Sequence, residues 1–302
     1  MARVAQGNRG LNDPPCRAAI GKYLAQSTTI PRAITKSTFF STVTSAIGSL
    51  ATATAESEDR RRYPGLPQSL PFSMRRGMTA RIDHIDSWIF DLDNTLYPPS
   101  AKLFDLIDER MGAFIMRLLD IDAVEARRVQ KQYFHDHGTT MAGLMRHHGV
   151  DPEDFLVDVH DIALDRIAPD ARLRAGLERL PGRKLVFTNA DADYAARVLE
   201  ARGIADLFDG ICDIRILRYT PKPDPAAYDV MIDHLRIDPA RSLFVEDMAR
   251  NLTPAKALGM TTVWLDNGSE SGHRGHLPDQ IDFHVNDIAD WLDNLPSPWG
   301  IS

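Results

Sequence analysis

An α/β fold, a doubly wound parallel sheet with a small all-helical cap inserted after its first strand, is the expectation for this chain. Three observations lead there. Apolar runs of strand length recur at 87–90, 184–187, 242–245, 261–265 and 283–285; runs of this kind read as strands. Helical periods at 193–202, 225–235 and 249–258 lie between the later runs, and strands alternating with helices of this length imply βαβ units and a parallel sheet. Between the first two runs no strand pattern occurs, only helical segments at 103–119, 123–134, 141–148 and 152–162. That block is large enough to cover the crevice at the carboxyl ends of the strands, where open α/β sheets place their ligands.

The expected organisation is therefore a core of residues 81–100 and 170–295 with a cap of 101–169. Residues 1–80 differ in composition: rich in Ser, Thr, Ala and Arg, poor in acids, and periodic only around 39–50. Three readings fit them: a transit peptide, a disordered tail, or a start codon placed too early, with Met74 or Met78 the natural start. The last two are favoured over targeting, and no secretory h-region follows the basic start.

The net charge of −7 conceals an asymmetry. Residues 1–80 carry 11 Lys and Arg against 4 Asp and Glu, whereas residues 81–302 carry 24 against 38. An acidic body argues against a nucleic-acid-binding surface, though a bound cation and a local lysine can reverse the field inside a site. No apolar run approaches the roughly 18 residues of a membrane span. Two cysteines, Cys16 and Cys212, make a disulfide framework unlikely to be the organising feature, so a reducing, cytoplasmic location is expected.

The chemistry is concentrated where strands end. Trp88-Ile89-Phe90 runs into Asp91-Leu92-Asp93-Asn94-Thr95. Two carboxylates two residues apart can point the same way, holding a hard cation such as Mg²⁺ or dividing nucleophilic and acid–base work between them. An Asp-rich helix cap is the alternative for that motif alone. The run at 184–187 ends in Thr188-Asn189; a hydroxyl followed by backbone N–H groups suits a phosphate oxygen, and a simple cap again competes. Lys222 stands between Pro221 and Pro223, which stiffen the loop and fix a point charge suited to phosphate. The run at 242–245 ends in Glu246-Asp247, and two acids there are costly unless bound to something; a cation shared with Asp91 would account for them. Asn251 could face the same crevice and hydrogen-bond the groups behind the ligands.

Other candidates carry less. His135, His137, His147 and His148 have no zinc-site spacing. Neither G-x-G-x-x-G nor G-x-S-x-G occurs. Tyr97, Phe104, Phe114, Tyr133 and Phe134 could stack on a base, but bundle packing is the favoured reading.

The ordered set, acid-x-acid, Thr, Lys, Glu-Asp, resembles the haloacid dehalogenase-like (HAD) hydrolase superfamily across roughly residues 84–290. The strings from Phe90 to Pro98, Thr188-Asn189-Ala190 and Val245 to Leu252 resemble its pyrimidine 5′-nucleotidase branch. The resemblance implies a Rossmann-like core and an aspartyl-phosphate mechanism. Asp91 would be the nucleophile and Asp93 the acid that protonates the leaving oxygen and then activates water. Mg²⁺ would be held by the Asp91 carboxylate, the Asp93 backbone carbonyl and Asp247, with Glu246 and Asn251 behind it. Thr188, Asn189 and Lys222 would bind the phosphoryl group. Superfamily dehalogenases usually lack an acid at the position of Asp93, so its presence favours a phosphatase.

The expected function is a Mg²⁺-dependent phosphomonoesterase acting on a small phosphorylated metabolite, first of all a pyrimidine nucleoside 5′-monophosphate. A phosphatase of sugar phosphates or other small phosphoesters, and a phosphotransferase or dehalogenase on the same fold, are the alternatives; a non-catalytic phosphate-binding module ranks lower, having no use for a nucleophile. Neither nucleic acid nor a membrane is an expected partner, and a homodimer is compatible with the sequence.

Overall fold

The computed structural model describes residues 82–295. The expectations for residues 1–80, including the 39–50 period and the start at Met74 or Met78, lie outside the described residues.

Six parallel strands form one sheet: β1 Ser87–Phe90, β2 Arg183–Phe187, β3 Gly210–Cys212, β4 Ser242–Glu246, β5 Thr261–Leu265 and β6 Phe283–Val285. Their spatial order is β3-β2-β1-β4-β5-β6, which puts β1 between β2 and β4 at the point where the winding reverses. A parallel sheet covered on both faces needs near-continuous apolar strands. Accordingly, every residue of β1 and of β4 is buried. The three-residue β3 was not expected, being too short to carry a period.

Register sets the stage for the site. Phe90 pairs with Val186 on β2 and with Val245 on β4. The ladder runs one residue further, the Asp91 N–H donating to the Val245 carbonyl at 2.9 Å. The next positions along the three central strands are therefore Asp91, Phe187 and Glu246, with Thr188 and Asp247 just beyond.

Five α-helices lie between β1 and β2, and the first four form the cap block: α1 Leu103–Leu119, α2 Ala123–His137, α3 Thr140–His148 and α4 Pro152–His160. Three begin at side chains that satisfy otherwise orphaned N–H groups: Asp122, Thr139 and Asp151 accept from Glu125, Ala142 and Glu153. Helix α2 runs three residues past the expected 134 and stops at Gly138, whose φ of +83° suits glycine. Helix α4 ends at His160, short of the expected 162. On the core, α5 Ala171–Glu178, α6 Ala192–Ala201, α7 Pro225–Leu235, α8 Leu252–Ala257 and α9 Ile288–Asn294 cover the sheet. The expected 249–258 helix divides into a 3-10 turn, Ala249–Asn251, followed by α8. Pro254 accounts for the division: proline is tolerated in the first turn of an α-helix and not further in.

The helical block is docked onto the core. Glu153 of α4 accepts from Arg215 at 2.9 Å and from the Tyr219 hydroxyl at 2.7 Å. Lys131 of α2 pairs with Glu270 at 3.2 Å, and Arg250 donates to the Gly138 carbonyl at 3.1 Å while lying 4.7 Å over the Phe134 ring. Of the cap aromatics, Phe114 meets Phe155 edge-on at 5.2 Å and Tyr133 stacks on His147 at 5.2 Å. Both contacts are packing within the helical block. No helix among the described residues is long and apolar enough to cross a membrane.

Gly182 leads into β2 with φ +75°, and a Cβ there would sit 2.2 Å from the Asp86 carbonyl oxygen. That carbonyl accepts the Arg183 N–H at 2.9 Å, tying the entries of β1 and β2 together. Gly182→Ala should therefore lower stability by about 2–3 kcal/mol, measured by chemical denaturation; a change under about 0.5 kcal/mol, typical of an uneventful surface substitution, would show that the entry can relax.

Candidate active site

Lys222 organises the carboxyl end of the sheet. Its side chain is 1% exposed, yet it carries an ammonium. The three N–H donors of that group meet Asp91 Oδ1 at 2.6 Å, Glu246 Oε2 at 2.7 Å and the Phe187 carbonyl at 2.9 Å. The rings of Phe187 and Phe244 lie 5.1 and 5.3 Å from its Nζ. Burial works against the charge, but Asp91 and Glu246 outweigh it and hold the Lys222 pKa above the usual lysine range.

The loop that delivers Lys222 is pinned from β2. Asn189 accepts the Lys222 N–H on Oδ1 at 2.8 Å and donates from Nδ2 to the Lys222 carbonyl at 3.3 Å. The Asn189 side chain is thus spent on the lysine's backbone. Pro221 and Pro223 flank the position, and the Lys222–Pro223 bond is cis. Thr188 is fully buried, and its hydroxyl oxygen accepts the Ala190 N–H at 3.0 Å; its proton remains available to a further acceptor.

Asp91, Glu246 and Asp247 bring carboxylate oxygens within 4.8 Å of one another, all buried. Burial, and then the Glu246 charge, push Asp91 up to about 8 despite its bond to Lys222. Burial, Glu246 and Asp91 likewise push Asp247 well above the carboxylate range. With three carboxylates and one ammonium, the ionised cluster carries two uncompensated negative charges in a low-dielectric site. A divalent cation cancels both, and all-oxygen donors suit Mg²⁺. Glu246 is already engaged on both oxygens, with Lys222 and with the Met248 N–H at 3.2 Å, so Asp91 and Asp247 are the side chains best placed to bind an ion. Ser269 hydrogen-bonds Asp247 from the loop after β5. Asn251 is buried with an unpartnered Oδ1 close behind this strand end, while its carbonyl accepts the Tyr228 hydroxyl at 2.5 Å.

The Asp93 carboxylate stands apart from that cluster. Its Oδ1 accepts from the Tyr97 hydroxyl at 2.6 Å and the Tyr194 hydroxyl at 3.0 Å. Burial raises its pKa; the Tyr97 hydroxyl, the His160 charge and the Tyr194 hydroxyl pull the other way without reversing it. Two neighbouring acids thus have distinct environments, the arrangement that separates acid–base work from nucleophilic work. Tyr194, His160 and Ser269 are not site candidates from sequence, and for Tyr97 the sequence favours bundle packing over a stacking surface. No spacing rule links them to Asp93 or Asp247, since they reach the site through tertiary packing. The four histidines are not part of the carboxylate cluster: His137 and His147 approach at 2.9 Å between Nε2 atoms, while His135 and His137 line a cleft beside Pro221, Lys222 and Arg250.

A family model for haloacid dehalogenase-like hydrolases matches residues 85–259, more than half of the chain, and includes every candidate site residue. The chain belongs to that family and is a hydrolase of the haloacid dehalogenase-like class. Among curated proteins it is similar to Phosphate metabolism protein 8 of Saccharomyces cerevisiae, 29% identical over 219 residues, 67% of this chain and 64% of that protein. The match therefore spans slightly less than two thirds of the yeast protein's length. It is also similar to the phosphoglycolate phosphatase of Rhodospirillum rubrum, 28% identical over 235 residues, 70% of this chain and 92% of that protein. Among solved structures, a HAD phosphatase from Thermococcus onnurineus superposes with a TM-score of 0.50 at 17% identity, covering 70% of this chain and 99% of the other; at that identity it speaks for the fold alone.

The acidic cluster yields a signed pH prediction. Asp91 has a folded pKa raised to about 8, against an unfolded value of about 3.9. A raised carboxylate pKa contributes stability below the unfolded value and loses it as pH rises through the folded one. EDTA-treated protein should therefore melt lower as pH is raised from about 5 to about 8, and Mg²⁺ should restore the melting temperature at the upper end by mass action. Asp247→Asn should blunt the Mg²⁺ effect. A melting temperature indifferent to Mg²⁺ at both pH values would refute an ion on this cluster.

Proposed function

We propose that this hydrolase is a Mg²⁺-dependent phosphomonoesterase that works through an aspartyl-phosphate on Asp91. The observation that carries the reading is the division of labour between Asp91 and Asp93: one carboxylate is fixed by Lys222 beside a cation-ready cluster, the other is held apart, protonatable, by two hydroxyls.

In the first half-reaction an Asp91 carboxylate oxygen attacks phosphorus, the bond from phosphorus to the ester oxygen breaks, and that oxygen takes the proton from Asp93. In the second, ionised Asp93 takes a proton from water, whose oxygen attacks phosphorus. The bond to Asp91 breaks, inorganic phosphate leaves, and Asp93 is again protonated. Lys222 holds Asp91 in line and its charge, with the Thr188 hydroxyl and the backbone at Asn189, offsets charge on the phosphoryl oxygens. Mg²⁺ held by Asp91, the Asp93 backbone carbonyl and Asp247 would neutralise the remaining charge. Positioning and neutralisation are the main requirements of phosphoryl transfer, and a carboxylate can carry the covalent intermediate. Closure of the helical block over the site would exclude water other than the attacking molecule.

For the substrate we propose a pyrimidine nucleoside 5′-monophosphate, on the strength of the Phe90–Pro98 and Val245–Leu252 strings. The cap aromatics lend this no support, because Phe114, Phe134 and Tyr133 are occupied by packing partners.

Phosphate release from UMP, CMP, dUMP, AMP, GMP and sugar phosphates, with Mg²⁺ and with EDTA, tests both levels. Asp91→Asn should abolish turnover on every substrate, and Asp93→Asn should cost about 10²–10⁴-fold. Release confined to sugar phosphates would discard the nucleotide and keep the mechanism; substantial turnover by Asp91→Asn would discard the mechanism.

A further inference from the structure

We propose that Tyr97 and Tyr194 are positioning residues for Asp93: together their hydroxyls grip one carboxylate oxygen and so present the other to the ester oxygen of the bound substrate. The inference rests on the phosphomonoesterase reading above and extends it to two residues to which that reading gives no role.

The geometry is unusually converged. Both tyrosines are 1% exposed. Their hydroxyl oxygens lie 2.6 and 3.0 Å from the same atom, Asp93 Oδ1, and 3.4 Å from each other. Asp93 Oδ2 accepts no hydrogen bond among the described residues. The tyrosines come from different elements. Tyr97 lies four residues beyond Asp93 in the turn that leaves β1, so its reach is local. Tyr194 comes from the first turn of α6, whose start is fixed by Asp191 accepting the Tyr194 N–H at 2.9 Å.

A third element braces the second tyrosine. His160, the last residue of cap helix α4, stacks on the Tyr194 ring at 4.5 Å with the planes 10° apart. Its Nδ1 also hydrogen-bonds Asp191, the residue that caps α6. Cap and core therefore meet at the tyrosine that holds the acid. Buried tyrosine hydroxyls need partners in any protein, so the plain alternative is that Asp93 merely satisfies them. Two hydroxyls on one oxygen, with the other oxygen free, is what orienting a proton donor requires and more than satisfaction does.

The step affected is the first half-reaction, in which the Asp93 proton passes to the ester oxygen as its bond to phosphorus breaks. An alkoxide needs that proton, whereas 4-nitrophenolate leaves without it. The test is therefore kcat/KM, which reports this half-reaction, for glycerol 2-phosphate and for 4-nitrophenyl phosphate. The proteins are the full chain and its Tyr97→Phe/Tyr194→Phe variant, with both single variants alongside. Phenylalanine keeps the ring packing, and a melting curve verifies the fold. The double variant should lose about tenfold or more on the alkyl ester, within the range of general-acid help, and less than about threefold on the nitrophenyl ester. Added to Asp93→Asn, the same pair of changes should cost nothing further. Equal losses on the two esters, no loss on either, or additive losses with Asp93→Asn would overturn the positioning role while leaving the phosphatase reading intact. Turnover of neither ester, nor of any phosphoester in the substrate panel, by the unmodified protein would overturn the reading and the inference together.

Discussion

A single buried ammonium holds the centre of this structure. Lys222 lies where three chain segments converge, between carboxylates at the ends of β1 and β4 and a carbonyl at the end of β2. Burying a charge is tolerable only when it is paired and every hydrogen-bonding position is used, and Lys222 meets both conditions with its three donors. The same pairing makes the carboxylates tolerable. Burial and the Glu246 charge still push Asp91 up to about 8 beside that lysine, and with Asp247 next to them the three carboxylates face one ammonium. That deficit of positive charge is why the cluster suits a divalent cation.

The rest of the fold can be read as the apparatus that brings the lysine there. The parallel sheet aligns three strand ends at one level. Asn189 fastens the lysine's backbone to the end of β2, and the prolines on either side limit what that loop can do. The helical block docks beside it, His135 and His137 lining a cleft with Lys222. Its polar contacts with the core include those of Glu153, His160 and Lys131, alongside a buried hydrophobic cluster that cap and core residues share.

Much of this was legible in the sequence, for a definite physical reason. The strand ends carry residues that are costly in an apolar setting, so Asp91, Thr188, Glu246 and Asp247 stand out against the runs before them, and Lys222 stands out between two prolines. Strand periods and proline-flanked turns are local signals, and the structure has β1, β5, β6, α1 and α7 over the expected residues. What was not legible depends on contacts between distant segments. Tyr97 and Tyr194 are 97 residues apart, and nothing local marks either as a partner of Asp93. His160 reads as an ordinary helix terminus until its ring is seen against Tyr194. Asn189 had the right neighbourhood, but only the fold reveals that its side chain serves Lys222. Strand β3 escaped because three residues cannot establish a period.

Register gives the fold an uneven tolerance to change in length. Side chains alternate along a strand, so shifting β4 by one residue relative to β1 would turn Glu246 away from Lys222 and bring an apolar or misdirected neighbour into its place. An insertion or deletion within 242–247 would thus dismantle the site even if the sheet survived. The segment between β1 and β2 is under no such rule: it leaves the sheet after Asp91 and rejoins it at Arg183, and whatever lies between need only return to the same two points. Over long divergence, then, the strands should keep their length to the residue while the cap grows, shrinks or is exchanged, so that new substrates can be acquired around an unchanged reacting centre.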